Sequence, residues 1–401
     1  MVNLFKKVHE NHLRVLMLQG PVGPFFANLA HDLRSVGGKV SKINFHGGDW
    51  LFYPSNATNF RRPMDEWSGF LERFLITNQI DLILLFGDCR PQHLVARDVA
   101  LKLEIEVGVF EEGYVRPDYI TLENYGVNAH SEIPQDPNFF IGITDHVPSA
   151  ERIGPPFFYA MVWAMLYNSA GSLLKPFFYH YRHHRNLSIF DGICWLRSFW
   201  RKQIYKISER FIQDFLIKKH SGNFYIVPLQ VGNDAQIHSH SRFESVHEFI
   251  MEVMVSFSTH SPSGTLLVIK QHPLERGYSN HGEFIEVKAR ELNILDRVLY
   301  CHDQHLPTLL KHAKGCVVIN STVGMSALGQ GLPLKCLAEP VYNMPGLTFQ
   351  GVLDDFWEAS GGPDLNLYKA FHSYVINKTQ INGNYYRRLP VPNVRSGVLW
   401  K

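Results

Sequence analysis

The chain of 401 residues is poor in cysteine, and its five cysteines, Cys89, Cys194, Cys301, Cys316 and Cys336, are scattered, odd in number and never at C-x-x-C spacing. That pattern excludes a disulfide framework and a thiolate zinc site and fits a reducing cytoplasm. There are 21 histidines but no H-E-x-x-H or comparable helical pair, so no metal is expected. Charge is nearly balanced: 39 Lys and Arg against 37 Asp and Glu give a formal +2, which argues against nucleic acid as a partner. No Walker G-x-x-x-x-G-K-[ST] occurs, which disfavours an ATPase. After the first apolar run Gly20 and Gly23 are separated by Pro21 and followed by Pro24, so a dinucleotide fingerprint is missing and an oxidoreductase is disfavoured. Asp-x-Asp, the common metal–diphosphate signature of single-sheet sugar transferases, is absent as well. The N-terminus turns polar before any apolar run of signal-peptide length, so export by that route is not expected.

What the sequence does contain is apolar material in a regular rhythm. Hydrophobic residues make up 45% and charged residues 19%, a globular composition, and the length exceeds what one compact core usually holds, so two cores are expected. Residues 13–18 read as a buried strand that breaks into a glycine turn at 19–26. Helix at 25–35, strand at 39–45, helix at 67–78, strand at 81–86, helix at 94–103 and strand at 106–110 follow. The rhythm restarts with strand 223–230, helix 246–258 and strands at 265–270, 298–300 and 316–320. Such alternation predicts an α/β fold of two Rossmann-like domains facing a central cleft, with ligands held by the loops at the strand C-termini. The expected divisions are 1–150 and 221–350 for the two Rossmann-like domains, 151–220 for a helical bridge, and 351–401 for C-terminal helices packing back on the first domain.

Within the bridge, residues 155–206 have a character of their own. Pro155-Pro156-Phe157-Phe158-Tyr159 and Met161–Tyr167 are apolar and aromatic, and 175–206 carries seven Lys or Arg against Asp191 alone. Cations interleaved with rings are what an interfacial segment needs, because anionic headgroups attract the cations while the rings settle at the acyl boundary. The apolar stretch is too short and interrupted for a confident span, so contact with a membrane surface is the expectation.

Three short motifs can carry chemistry. Lys270-Gln271-His272-Pro273 directly follows an apolar strand, which puts the imidazole at the mouth of the second sheet. Asn320-Ser321-Thr322 follows another strand and opens a helix, offering hydroxyls and N–H groups to an anion. Both are expected to hold a phosphate and to follow neighbouring strands of one domain. Glu111-Glu112-Gly113, read as a turn at the edge of the first domain, offers paired carboxylates, one of which can serve as base or nucleophile.

The order carboxylate-carboxylate-Gly, His-Pro, Ser-Thr resembles the motif set of bacterial transferases that use CMP-activated acidic sugars. The longer strings Gly20–Phe26, Phe86–His93, Phe110–Glu123 and Pro228-Leu229-Gln230 resemble capsule polysaccharide biosynthesis and export proteins of the KpsS/LipB type, over roughly residues 14–350. That resemblance implies a GT-B-like glycosyltransferase that moves β-Kdo (3-deoxy-D-manno-octulosonic acid) from CMP-Kdo to a phosphatidylglycerol-type lipid at the cytoplasmic face of the inner membrane, starting a poly-Kdo capsule linker. It implies a retaining reaction without metal or cofactor, and capsule assembly or export proteins as partners. A CMP-sialic acid donor and a non-catalytic role in capsule assembly remain alternatives. Carried over residue by residue, the resemblance gives His272, Pro273, Asn320, Ser321 and Thr322 to the CMP phosphate and Glu111 or Glu112 to the anomeric carbon. Lys270 and Arg276 are candidates for the sugar carboxylate, and Gln230, Asp234 and Glu339 for nucleotide or ribose. Gly23, Asp88, Arg90, His93 and Arg116 fall on the acceptor side.

Overall fold

A computed structural model describes residues 1–181, 191–232, 241–359 and 361–401. The chain divides into two compact units, one formed by 1–132, 145–189 and 374–401, the other by 133–144 and 190–373.

In the first unit, apolar runs form the strands β1 (Arg14–Met17), β2 (Lys39–Asn44), β3 (Thr58–Asn59), β4 (Leu82–Phe86), β5 (Glu106–Glu112) and β6 (Tyr119–Asn124). In the second unit, β7 (Phe224–Pro228), β8 (Leu266–Lys270), β9 (Val298–Cys301), β10 (Gly315–Val318) and β11 (Leu334–Cys336) follow, and β12 (Gln380–Asn382) belongs to the first again. The first sheet runs β12-β6-β5-β4-β1-β2-β3 and the second β11-β10-β7-β8-β9. All pairings are parallel except β5 with β6 and β6 with β12. Each sheet thus contains the doubly wound order 3-2-1-4-5, counted within its own unit. The order reverses between β1 and β4 in the first sheet and between β7 and β10 in the second.

Why these segments are strands is visible in their packing. Alternate residues of the first sheet feed opposite apolar layers: Val15, Met17, Leu82 and Leu84 one, Leu16, Leu18, Ile83 and Leu85 the other. A sheet buried on both faces needs apolar residues at successive positions, which is the pattern of Leu-Ile-Leu-Leu-Phe in β4. In the second unit Val227, Leu267, Ile269 and Val317 pack with Phe249, Val253 and Trp357. The helix Val246–His260 in that core starts where Ser245 accepts a hydrogen bond from the Glu248 N–H at 3.2 Å.

The expected domain divisions differ from the observed units in three ways. Residues 133–144, inside the expected first domain, belong to the second unit. The bridge 151–220 is not a segment of its own: 151–189 belongs to the first unit and 190–220 to the second. The C-terminal portion also splits, with 351–373 in the second unit and 374–401 in the first, where β12 pairs with β6. The physical reason is that the chain crosses between units four times, and no local change of composition marks these crossings. Among the described residues no helix is long and apolar enough to cross a membrane.

Candidate functional site

The second sheet gathers its polar residues at the C-terminal edge. β7 runs out into Leu229-Gln230 and β10 into Ile319-Asn320, and the two side-chain amides meet: Gln230 Nε2 donates to Asn320 Oδ1 over 2.9 Å. The bond spans the point where strand order reverses, where a doubly wound sheet opens a ligand crevice. Ser321 Oγ accepts from the Val323 N–H at 3.3 Å, and its carbonyl takes a hydrogen bond from the Tyr342 hydroxyl. Thr322 precedes a helix of only 7 residues, Val323–Gly329, and makes no side-chain cap. Gly324 is required there, since a Cβ would lie 2.3 Å from the Tyr342 hydroxyl oxygen.

His272 sits after β8 at the start of the short turn Pro273–Glu275. Its Nδ1 accepts from the Leu274 N–H at 3.2 Å, which in a neutral ring puts the proton on Nε2 and makes that atom a donor. The His272 and Asn320 loops do not follow neighbouring strands, as the sequence reading had it. β7 lies between β8 and β10, so the two strands are about 10 Å apart. Glu275, which the sequence reading passed over, ties the intervening loops together: Oε1 accepts from Gly232 N at 3.1 Å and Oε2 from the Ser279 hydroxyl. Glu339, on the loop after β11, is exposed and accepts from Asn343 Nδ2 at 2.9 Å. Asp234 lies outside the described residues.

Lys270 and Arg276 have other tasks than the one expected of them. Lys270 is buried at the end of β8, where its Nζ donates to the His302 carbonyl at 2.9 Å, and burial pushes its pKa down. Arg276 forms an ion pair with Asp303, both side chains largely buried. A buried cation needs acceptors close by, and the β9 loop supplies them to both. These two residues therefore pin the β8 and β9 loops to one another.

At the corresponding edge of the first sheet, Glu111 and Glu112 are not on a turn. They are the last residues of β5, in register with Thr121 and Ile120 of β6, and their side chains leave opposite faces. The Glu111 carboxylate turns toward the end of β4: a Cβ on Gly87 would lie 3.6 Å from Glu111 Oε2. Its other oxygen accepts from the Glu112 N–H at 2.9 Å. Glu112 Oε1 instead accepts from the Tyr386 hydroxyl at 3.1 Å, on the returning C-terminal segment. The pair is thus resolved into two different environments.

Of the remaining expected positions, all but Arg116 lie on or just beyond the loops after β1 and β4, which flank the reversal point of that sheet. Arg90 Nη1 reaches the Gly20 carbonyl at 3.4 Å, linking the loops after β1 and β4. His93 is fully buried, with Nδ1 2.6 Å from the Gly87 carbonyl and Nε2 without a partner. Burial first, then the Arg90 charge, pushes its pKa well down, so it is a neutral ring. Asp88 is buried and serves as a hub, accepting from Val127 N at 3.2 Å and lying 2.9 Å from His130 Nδ1. Among the described residues Asp88, Cys89 and His130 bring potential metal-ligand atoms within 4.8 Å of one another, two from the loop after β4 and one from beyond β6. Arg97 at 3.7 Å from the same Asp88 oxygen already supplies a cation there. Gly23 has φ +105° and packs on Trp163, where a Cβ would approach to 3.0 Å. Arg116 is exposed and donates from Nε to the Gly113 carbonyl at 3.2 Å.

Sequence reasoning missed a buried polar network beneath this edge. Gln19 donates to the Tyr167 hydroxyl at 2.9 Å and to Asp49 at 3.2 Å, and accepts from Gln92 at 2.7 Å and from Tyr181 at 3.1 Å. Lys42 is buried close by, and burial pushes its pKa down to about 8. The one available signal was the polar residue directly after an apolar strand, Gln19 after β1. Nothing local marked Asp49 or Tyr167.

Comparison with known proteins places these features in context. Residues 81–386 match the family model described as capsule polysaccharide biosynthesis protein. The chain is 40% identical over 377 residues to the capsule polysaccharide export protein KpsS of Escherichia coli, covering 93% of this chain and 97% of that one. It is 36% identical over 408 residues to the capsule polysaccharide modification protein LipB of Neisseria meningitidis serogroup B, covering 98% and 96%. Among solved structures, a glycosyltransferase from Rickettsia africae aligns with a TM-score of 0.36 and 9% identity over 91% of this chain and 94% of that one, too loosely to inform the chemistry.

Proposed function

The chain belongs to the capsule polysaccharide biosynthesis protein family, and on that footing we propose that it is a metal-independent glycosyltransferase that moves β-Kdo from CMP-Kdo to a phosphatidylglycerol-type lipid at the cytoplasmic face of the inner membrane. The observation that carries the reading is the edge of the second sheet, where the Gln230–Asn320 pair bridges the reversal point between a histidine donor on one side and two hydroxyl side chains on the other.

Chemically, the bond between the anomeric carbon and the phosphate oxygen breaks and its electron pair leaves with CMP. His272 Nε2–H and the hydroxyls of Ser321 and Thr322 donate to the phosphate as that charge develops. Glu111, whose carboxylate turns toward the reversal side of the first sheet, attacks the anomeric carbon and becomes a glycosyl ester. The acceptor hydroxyl then displaces Glu111, releases its proton to solvent, and restores the original anomeric configuration after two inversions. Glu112, held by the Tyr386 phenol on the opposite face, steadies the strand end. Because Lys270 and Arg276 are engaged internally, the cation for the sugar carboxylate is assigned to neither.

A second reading is favoured by the printed name of the Escherichia coli relative, an export protein: a non-catalytic partner of capsule export that keeps a CMP pocket. Release of CMP from CMP-Kdo by the purified chain, with and without the lipid, separates the two. The transferase reading expects CMP release that depends on the lipid acceptor. Release no greater than in a protein-free blank, with intact donor, overturns it.

A further inference from the structure

The helix Asp191–Ser208 of the second unit carries two faces of opposite character. Its inner face is bonded to the loop that begins at His272. Arg201 Nη1 donates to the Arg276 carbonyl at 2.8 Å, and Arg276 Nη1 reaches Ser198 Oγ at 3.4 Å. Gly277 lies so close that a Cβ there would be 2.1 Å from the Cys194 carbonyl oxygen. The Tyr205 ring stacks on His302 at 3.6 Å with a 9° interplanar angle, and Glu209, just past the helix, accepts from His302 N at 3.0 Å.

The outer face is the reverse of what a solvated helix presents. Leu196, Phe199, Trp200, Ile204 and Ile207 are 56% to 68% exposed. At 3.6 residues per turn they fall within an arc of roughly 140°, on the side away from Ser198, Arg201 and Tyr205. Exposed cations border the arc on both sides, Arg197 on one and Lys206 on the other, and no acidic residue occurs from 192 to 208. A face of this size left in water is unfavourable by the full transfer free energy of its rings and aliphatic chains. The inner bonds fix the helix in place, so rolling the stripe inward is not an escape.

We propose that this face docks on an anionic bilayer surface, its apolar stripe entering the headgroup boundary and its flanking cations pairing with lipid phosphates. The charge pattern selects the occupant: a second copy covering the apolar stripe would set cations against cations along both borders, whereas anionic headgroups on either side of an inserted stripe are met by both rows. The helix lies in the surface rather than across it, consistent with its hydropathy. The inference deepens the lipid-acceptor reading, but its test uses no sugar donor, so the two can fail separately.

The test is flotation of the full chain with vesicles of phosphatidylcholine alone and of phosphatidylcholine mixed with phosphatidylglycerol, at low and high salt. The chain should float with the anionic vesicles, less with the neutral ones, and less at high salt. Trp200→Ser combined with Ile204→Ser should weaken partitioning on the order of tenfold or more, since both side chains leave the boundary. Arg197→Glu combined with Lys206→Glu should weaken binding to anionic vesicles alone. All four positions are exposed, so thermal melting should be unchanged and certifies the fold. Wild-type flotation by the apolar variant overturns the proposal, as does absence of wild-type binding to anionic vesicles. A dimer in sedimentation that the apolar variant dissociates, with no vesicle binding, would put a second copy on this face instead.

Discussion

Gln230 donates from Nε2 to Oδ1 of Asn320 over 2.9 Å and accepts from the Asn320 N–H at 3.5 Å, and the pair joins the loops after β7 and β10 where the strand order of the second sheet reverses. Gln230 is buried and Asn320 half-buried, so removing the Gln230 amide takes two shielded hydrogen bonds from the Asn320 loop. Gln230→Ala should therefore raise the dissociation constant for CMP roughly tenfold. Calorimetric titration checks it, and an unchanged constant would remove Gln230 from the donor edge.

His272→Ala removes the proposed donor to the leaving phosphate. If it acts like one lost oxyanion donor, the turnover number for CMP release should fall on the order of 10²-fold, with a smaller effect on donor binding. Steady-state kinetics against CMP-Kdo separate the two quantities. Wild-type turnover would reject the placement.

The two adjacent carboxylates should behave unequally. Glu111→Gln removes the group turned toward Gly87 and should lower turnover on the order of 10³-fold or more, as loss of a nucleophile does. Glu112→Gln keeps a partner for the Tyr386 hydroxyl and should cost only a few-fold. Equal losses, or the larger loss at Glu112, would contradict the assignment.

Glu123 provides a pH signature independent of catalysis. It is buried beside Tyr114 and Ser131, and burial raises its pKa from 4.5 to about 7. Between those values the folded state holds a proton that the unfolded chain has released. Stability from this group is therefore full below 4.5 and is lost as pH rises through 7. Glu123→Gln stays neutral and should flatten that part of the Tm–pH curve, a difference of up to roughly 3 kcal/mol above neutrality. Parallel curves for the two proteins would contradict it.

Much of this architecture was legible because buried parallel strands and amphipathic helices write themselves into local sequence. The helix expected at 67–78 is observed as Trp67–Asn78, and the apolar runs around residues 15, 84, 226 and 268 are all strands. Strand order was not legible, since nothing in β8 or β10 says that β7 lies between them. Glu111 and Glu112 looked like turn residues because their carboxylates end an apolar run, and only the pairing with β6 keeps them in the strand. Lys270 and Arg276 looked free because their acceptors, the His302 carbonyl and Asp303, are about thirty positions away in sequence. Tyr167 was read as part of a surface segment. It is instead held inside by Gln19 and Asp49, with Gly48 permitting the approach: a Cβ there would be 2.5 Å from the Tyr167 ring.

The most direct test of the central claim offers CMP-Kdo and CMP-sialic acid together to the purified chain with a fluorescent phosphatidylglycerol and measures the product by mass. The account predicts a lipid heavier by Kdo and none heavier by sialic acid. A sialylated product, or an unmodified lipid while both donors remain intact, would contradict it.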